Sequence, residues 1–170
     1  MISSKRASRK GSTMLEFVLV GIPMIFILIS GFEIARGMWT YETMAYAVRE
    51  GVRYASMHGK GCASPNTCQV TIGQITSVIR SAGVGLDASA VQITFTPASG
   101  SASSGTMTSQ LASTTTWPPA SANSPGQLVK IGLKYQFRTF LAVFWVGAGA
   151  PLNDSGAFWL PASSTEAISF

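Results

Sequence analysis

Few side chains in this sequence have the chemistry of a catalyst. The one histidine, His58, sits in the glycine-rich turn His58-Gly59-Lys60-Gly61, with no serine or cysteine motif for it to activate. The seven acidic residues are scattered and do not form a pair suited to general acid–base work. Neither a Walker sequence nor a dinucleotide-binding glycine pattern occurs. Cys62 and Cys68, with five residues between them in a turn-rich stretch, admit two readings: a disulfide-closed loop in an oxidising compartment, or two unpaired thiols. Zinc wants four ligands, and only His58 stands near them. The expectation is therefore a binding or structural protein without metal, cofactor or enzymatic activity.

One carboxylate has an unusual address. Phe17 to Phe32 carries no charged side chain, and the apolar character extends back to Ser12 with Glu16 as its one interruption. As a helix this stretch spans roughly 30 Å, the thickness of a bilayer core. An acidic residue at the centre of a spanning helix costs about 3 kcal/mol, and less near the interface. Glu16 then either lies in the headgroup zone or has a partner.

The elements that would position Glu16 follow from charge and hydropathy. Of the twelve basic residues, Lys5, Arg6, Arg9 and Lys10 precede the apolar run, leaving eight against seven acidic residues in the rest. The formal net charge of +5 is thus concentrated ahead of the helix. A nucleic-acid-binding face would need a basic stripe on the folded part, and none is visible. By the positive-inside rule the N-terminus is cytoplasmic and everything after the helix lies outside. A cleaved secretory signal fits poorly. Its apolar stretch would be shorter, and the sites after Gly31 and Ala35 put Ile29 and Glu33 where small residues belong. An uncleaved single-pass protein whose outer domain binds an envelope partner is the alternative these features leave open.

Gly11-Ser12-Thr13-Met14-Leu15-Glu16-Phe17, with basic residues before it and an apolar helix after it, resembles a type IV prepilin cleavage site. More specifically, the chain resembles the TadE-like pseudopilins of tight-adherence pili. Glu16-Phe17-Val18-Leu19-Val20-Gly21-Ile22-Pro23 is similar to that family's Glu-Phe-Ala opening and its proline, with Val18 where alanine is common. Ala45-Tyr46-Ala47-Val48-Arg49-Glu50-Gly51-Val52-Arg53-Tyr54-Ala55 is similar to its Arg-Glu-Gly-Ala-Arg-Tyr-Ala run. The resemblance covers about the first third of the chain. It implies that a membrane-embedded prepilin peptidase cuts between Gly11 and Ser12 and that the apolar helix is retained. Glu16 would then neutralise the N-terminal amine of an adjacent subunit. The implied partners are the inner membrane, the peptidase, other pilin-like subunits and a pilus assembly platform, with self-assembly into a filament open.

The expected organisation is a leader over 1–11, an N-terminal helix over 12–57 and an extracytoplasmic α+β domain over 58–170. The helix spans the membrane over about 12–32 and is amphipathic over 33–57. Ala35, Met38, Tyr41, Ala45, Val48, Val52 and Ala55 recur at three and four, the period of an apolar stripe. Arg49, Glu50 and Arg53 fall off that stripe, and Glu50 and Arg53 are spaced to pair. Pro23 is expected to kink the membrane part. Ile72, Ile75, Ile79 and Ala82 predict a second helix ending near Gly83, and Val91, Ile93 and Phe95 a strand ending at Pro97. The Ser-, Ala-, Thr- and Gly-rich stretch 98–126 reads as a long surface loop, with Trp117 as anchor or exposed recognition feature. Val129 to Phe137 alternates as a one-sided strand with Lys130, Lys134 and Arg138 on its polar face. Phe140 to Val146 reads as a buried or surface-docked segment, while Phe158–Leu160 and Ala167–Phe170 are candidates to complete an antiparallel sheet.

Overall fold

A computed structural model of the chain describes residues 10–62, 69–139 and 157–169. Its first element, α1, runs from Lys10 to Ser56, 47 residues, and continues through Pro23. The chain divides into two compact units, one ending at Arg36 and one starting at Gly37. In the first unit α1 exposes Leu15, Phe17, Leu19, Ile27, Leu28 and Phe32. The hydroxyl of Ser30 donates to the Phe26 carbonyl at 2.8 Å, so the helix itself satisfies this polar group. Among the described residues, α1 is the one helix long and apolar enough to cross a membrane.

The second unit folds helices over one face of a sheet. Helix α2 (Ile72–Ala82) starts where Thr71 and Gln74 close a capping box. Gln74 N donates to Thr71 Oγ1 at 3.2 Å, and Thr71 N donates to Gln74 Oε1 at 2.9 Å. It stops at Gly83, whose N–H reaches the Ile79 carbonyl. Thr71→Ala is expected to destabilise the domain by about 1 kcal/mol. In thermal unfolding of the detergent-solubilised full chain this should lower the midpoint by roughly 3–6 °C, and an unchanged midpoint would mean the cap contributes nothing.

Strands β1 (Val91–Thr96), β2 (Ser103–Thr106), β3 (Leu128–Arg138) and β4 (Ala157–Ala167) form one antiparallel sheet in the order β2-β1-β3-β4. Val91, Ile93 and Phe95 of β1 and Val129, Ile131 and Leu133 of β3 all point to one face and are buried. Ile75 and Ile79 of α2 and Met44, Ala47, Val48, Val52 and Ala55 of α1 close over them in a single core. The fold is α+β, a long N-terminal helix followed by a small four-stranded sheet, as the alternation of the strands requires. Between α2 and β1, Asp87 Oδ1 accepts from the Ser89 hydroxyl at 2.7 Å and from Ser89 N at 2.9 Å. These bonds hold its carboxyl below the usual carboxylate range.

Three expectations change. The apolar stripe of α1 is buried at Val48, Val52 and Ala55 but exposed at Ala35, Met38 and Tyr41. Met44 and Ala47, off the predicted stripe, complete the buried face. The sheet's last strand is one continuous 11-residue element, not two short pieces. Pro161 interrupts the apolar pattern there, and β4 tolerates it because, among the described residues, it is an edge strand paired only with β3. The stretch 98–126 is not a long loop. It contains β2, a short helix α3 (Met107–Leu111) and a 3-10 turn at Ala120–Ala122. Met107 is buried in the core, and Trp117 is 4% exposed with its ring edge-on to Phe95 at 5.3 Å. Trp117 is therefore an anchor. Its backbone N–H donates to Val70 O at 2.9 Å, and Ile72 N donates to Thr115 O at 2.9 Å, which ties this segment to the start of α2. The segment Phe140–Val146 and the terminal Phe170 lie outside the described residues.

Candidate functional site

The residues of the expected processing and assembly site all fall on α1. Gly11 and Ser12 lie within its first turn, and Glu16 is exposed one turn further along. Met14, Leu15, Phe17 and Val18 around Glu16 are exposed too. A carboxylate is thus set among apolar side chains at the start of a helix suited to lipid.

A second polar feature closes the apolar stretch. Arg36 Nη2 lies 3.1 Å from Glu33 Oε2, a pair one turn apart, and the Glu33 side chain is only 6% exposed. Pairing lowers the cost of placing either charge at the end of a membrane-spanning segment. The i,i+3 spacing was the signal for it, and it is easily read as a mere boundary marker.

The Arg49-Glu50-Gly51-Val52-Arg53 run belongs to the part of α1 seated in the domain. Arg49 and Arg53 are exposed, and Arg49 Nε donates to the Ala45 carbonyl at 3.0 Å. The spaced pair Glu50 and Arg53 forms no ion pair among the described residues. Gly51 is buried where α1 meets α2. A Cβ built there would collide with Ile79 Cγ1 and lie 2.7 Å from Ile79 Cδ1. The motif's glycine is thus the seat of a close helix crossing, with the two arginines left facing solvent.

Past the end of α1, His58 acts as a terminator. Its backbone N–H donates to the Ala55 carbonyl at 3.1 Å, and its ring Nδ1 lies 2.6 Å from the Tyr54 carbonyl. The Ser56 hydroxyl donates to Glu166 Oε2 at 3.1 Å, and Ser169 N to the Ser56 carbonyl at 3.0 Å, which ties the helix end to β4 and the residues after it. Neither tie is visible in the sequence, because 110 residues separate Ser56 from Glu166. Cys62 is disulfide-bonded and carries no free thiol. Cys68, the other member of the expected pair, lies outside the described residues. No group of three or more His, Cys, Asp or Glu side chains able to hold a metal occurs among the described residues.

Two features define the class: one apolar N-terminal helix that fits a membrane anchor, and a small α+β domain containing that helix's distal end. Within it, residues 11–53 match the family model described as TadE-like protein. This segment holds Gly11, Glu16 and the Arg-Glu-Gly run, and the match suggests a pilin-like protein associated with tight-adherence pili. No curated protein and no solved structure matches the chain.

Proposed function

We propose that this chain is a pilin-like subunit of a tight-adherence, type IV pilus-like system. Prepilin peptidase cuts between Gly11 and Ser12, and the retained helix serves first as membrane anchor and then as assembly element. Before assembly the protein sits in a bacterial inner membrane, N-terminus cytoplasmic and α+β domain outside. Four basic residues precede the apolar run, and no comparable excess follows it. Its partners are the peptidase, other pilin-like subunits and the assembly platform, and its output is pilus assembly with adhesion or secretion. The observation that carries this reading is the coincidence on one helix of a Gly-Ser junction, a carboxylate one turn on and an uninterrupted apolar run, all inside the TadE-like match. A domain of this size beyond the helix favours a minor or accessory subunit, because major subunits of such systems are close to bare helices.

The test is the intact mass of the protein co-expressed with its prepilin peptidase, with Gly11→Ala as control. The wild type is expected to lose residues 1–11 and the variant to keep them. An intact N-terminus in the presence of active peptidase would leave an uncleaved single-pass envelope protein as the better reading.

A further inference from the structure

The sheet face opposite the buried side chains of β1 and β3 carries a groove of about 550 Å³. Its floor is Gly132, at the middle of β3, where Thr94 of β1 and Ser163 of β4 pair with it from either side. Lys130 and Lys134, two residues before and after Gly132, project on the same face and stand at its two ends. Tyr41 of α1 also lines it.

Charge on this face has one sign. Both lysines are exposed, and among the described residues neither has an ion-pair partner. The one carboxylate within the four strands, Glu166, is in register with the buried Val129 on the opposite face and accepts there from Ser56. Nothing acidic on the strands therefore neutralises the two ammonium groups.

The glycine at the floor is not demanded by packing. A Cβ at Gly132 would meet nothing nearer than Ala162 O and Ser163 Cβ, both at 4.0 Å, which is ordinary contact. Glycine weakens a strand interior, so a side chain here would be expected to help the sheet. What its absence provides is depth between the lysines.

From this we infer that the groove over Gly132 binds an acidic saccharide of the uronic-acid type. Lys130 and Lys134 take its carboxylates, Thr94 and Ser163 its hydroxyls, and the Tyr41 ring offers a flat surface to a sugar face. The two lysines are roughly 13 Å apart along the strand, with hydroxyls between them. Acid groups several rings apart on a uronate chain span that distance. An extended acidic peptide would bind by adding a strand to a sheet edge, whereas this groove lies on a face. The inference rests on the proposed function for one point only, that the domain faces outside the cell.

The test uses the full chain in nanodiscs of uncharged phosphatidylcholine, titrated with hexagalacturonate, with neutral maltohexaose and with oligoglutamate. Wild type should bind the uronate, less tightly at high salt, and neither control. Lys130→Gln with Lys134→Gln should weaken binding about tenfold or more, the loss expected when charge-assisted hydrogen bonds go. Gly132→Val, which fills the floor and leaves both lysines, should do the same without lowering the unfolding midpoint, while Arg80→Gln on α2 should change nothing. Absence of uronate binding, equal binding of oligoglutamate, or indifference to the lysine substitutions would overturn the proposal. Should Gly132→Val fold poorly, the lysine pair decides alone. Peptidase cleavage is scored separately, so binding without cleavage would count against the pilin-like reading and spare the groove, and cleavage without binding the reverse.

Discussion

Gly51→Leu is expected to destabilise the domain by about 3 kcal/mol, the upper part of the range for forcing extra atoms into a packed core. The atoms in the way are Ile79 Cγ1 and Cδ1, with Ile75 Cγ2 at 3.8 Å from the new Cβ position. Both isoleucines are fully buried, so neither can swing into solvent to make room. Leucine is a better helix former than glycine by roughly 0.8 kcal/mol, which offsets only part of the clash. Gly31→Ala is the matching control, because nothing lies within 4 Å of the position its Cβ would take. In thermal unfolding of the full chain in detergent, Gly51→Leu should lower the midpoint by roughly 10 °C while Gly31→Ala leaves it in place. Equal midpoints would mean that α1 and α2 separate at little cost and that the glycine of the Arg-Glu-Gly run has another role. A large drop would explain that glycine by steric contact, within a segment whose arginines face outward.

That glycine illustrates what was legible in the sequence. Periodicity located α2, β1 and β3 because each buries one face only, so apolar residues alternate or recur at the helical period. It misjudged α1, where the same spacing covers two environments. Ala35, Met38 and Tyr41 are exposed, whereas Met44, Ala47 and Val48 are under the sheet. Local pattern does not report where along a helix the core begins. The serine- and glycine-rich β2 was missed because its strand character comes from backbone pairing with Gln92–Phe95, to which its side chains contribute little. Pro161 split β4 into separate candidate pieces, because a proline argues against a strand until the strand is known to be an edge. The groove over Gly132 was invisible for a related reason. Lys130 and Lys134 were readable as the polar face of one strand, but Thr94 and Ser163 join them only through the register of three strands.

Glu16→Gln should leave cleavage after Gly11 intact and remove the protein from assembled filaments. The expectation follows from the proposed function. Cleavage would free an amine on Ser12, one helical turn from Glu16, and on that proposal the carboxylate would meet the amine of a neighbour in a filament. At 4 Å and an effective dielectric constant near 20 such a pair is worth about 4 kcal/mol before desolvation is counted. Desolvation removes much of that gain. Removing one partner then leaves the other charge buried alone, at a cost of about 3–5 kcal/mol, so discrimination between paired and unpaired registers is large even where net stabilisation is small. A penalty of about 3 kcal/mol lowers incorporation by roughly two orders of magnitude. Glutamine keeps the shape and the apolar stem and deletes only the charge, so lipid anchoring should not suffer. The measurement is the ratio of processed protein in sheared filaments to that in membranes, for wild type, Glu16→Gln and Glu16→Asp. Aspartate keeps the charge on a stem one methylene shorter and is expected to fall between the two. If Glu16→Gln is incorporated at the wild-type ratio, Glu16 does not set the register between subunits and is better explained as a headgroup-zone residue of the anchor. If it is processed, stays in the membrane and is absent from filaments, the charge on this side chain is needed at the step that moves the helix from lipid into the filament.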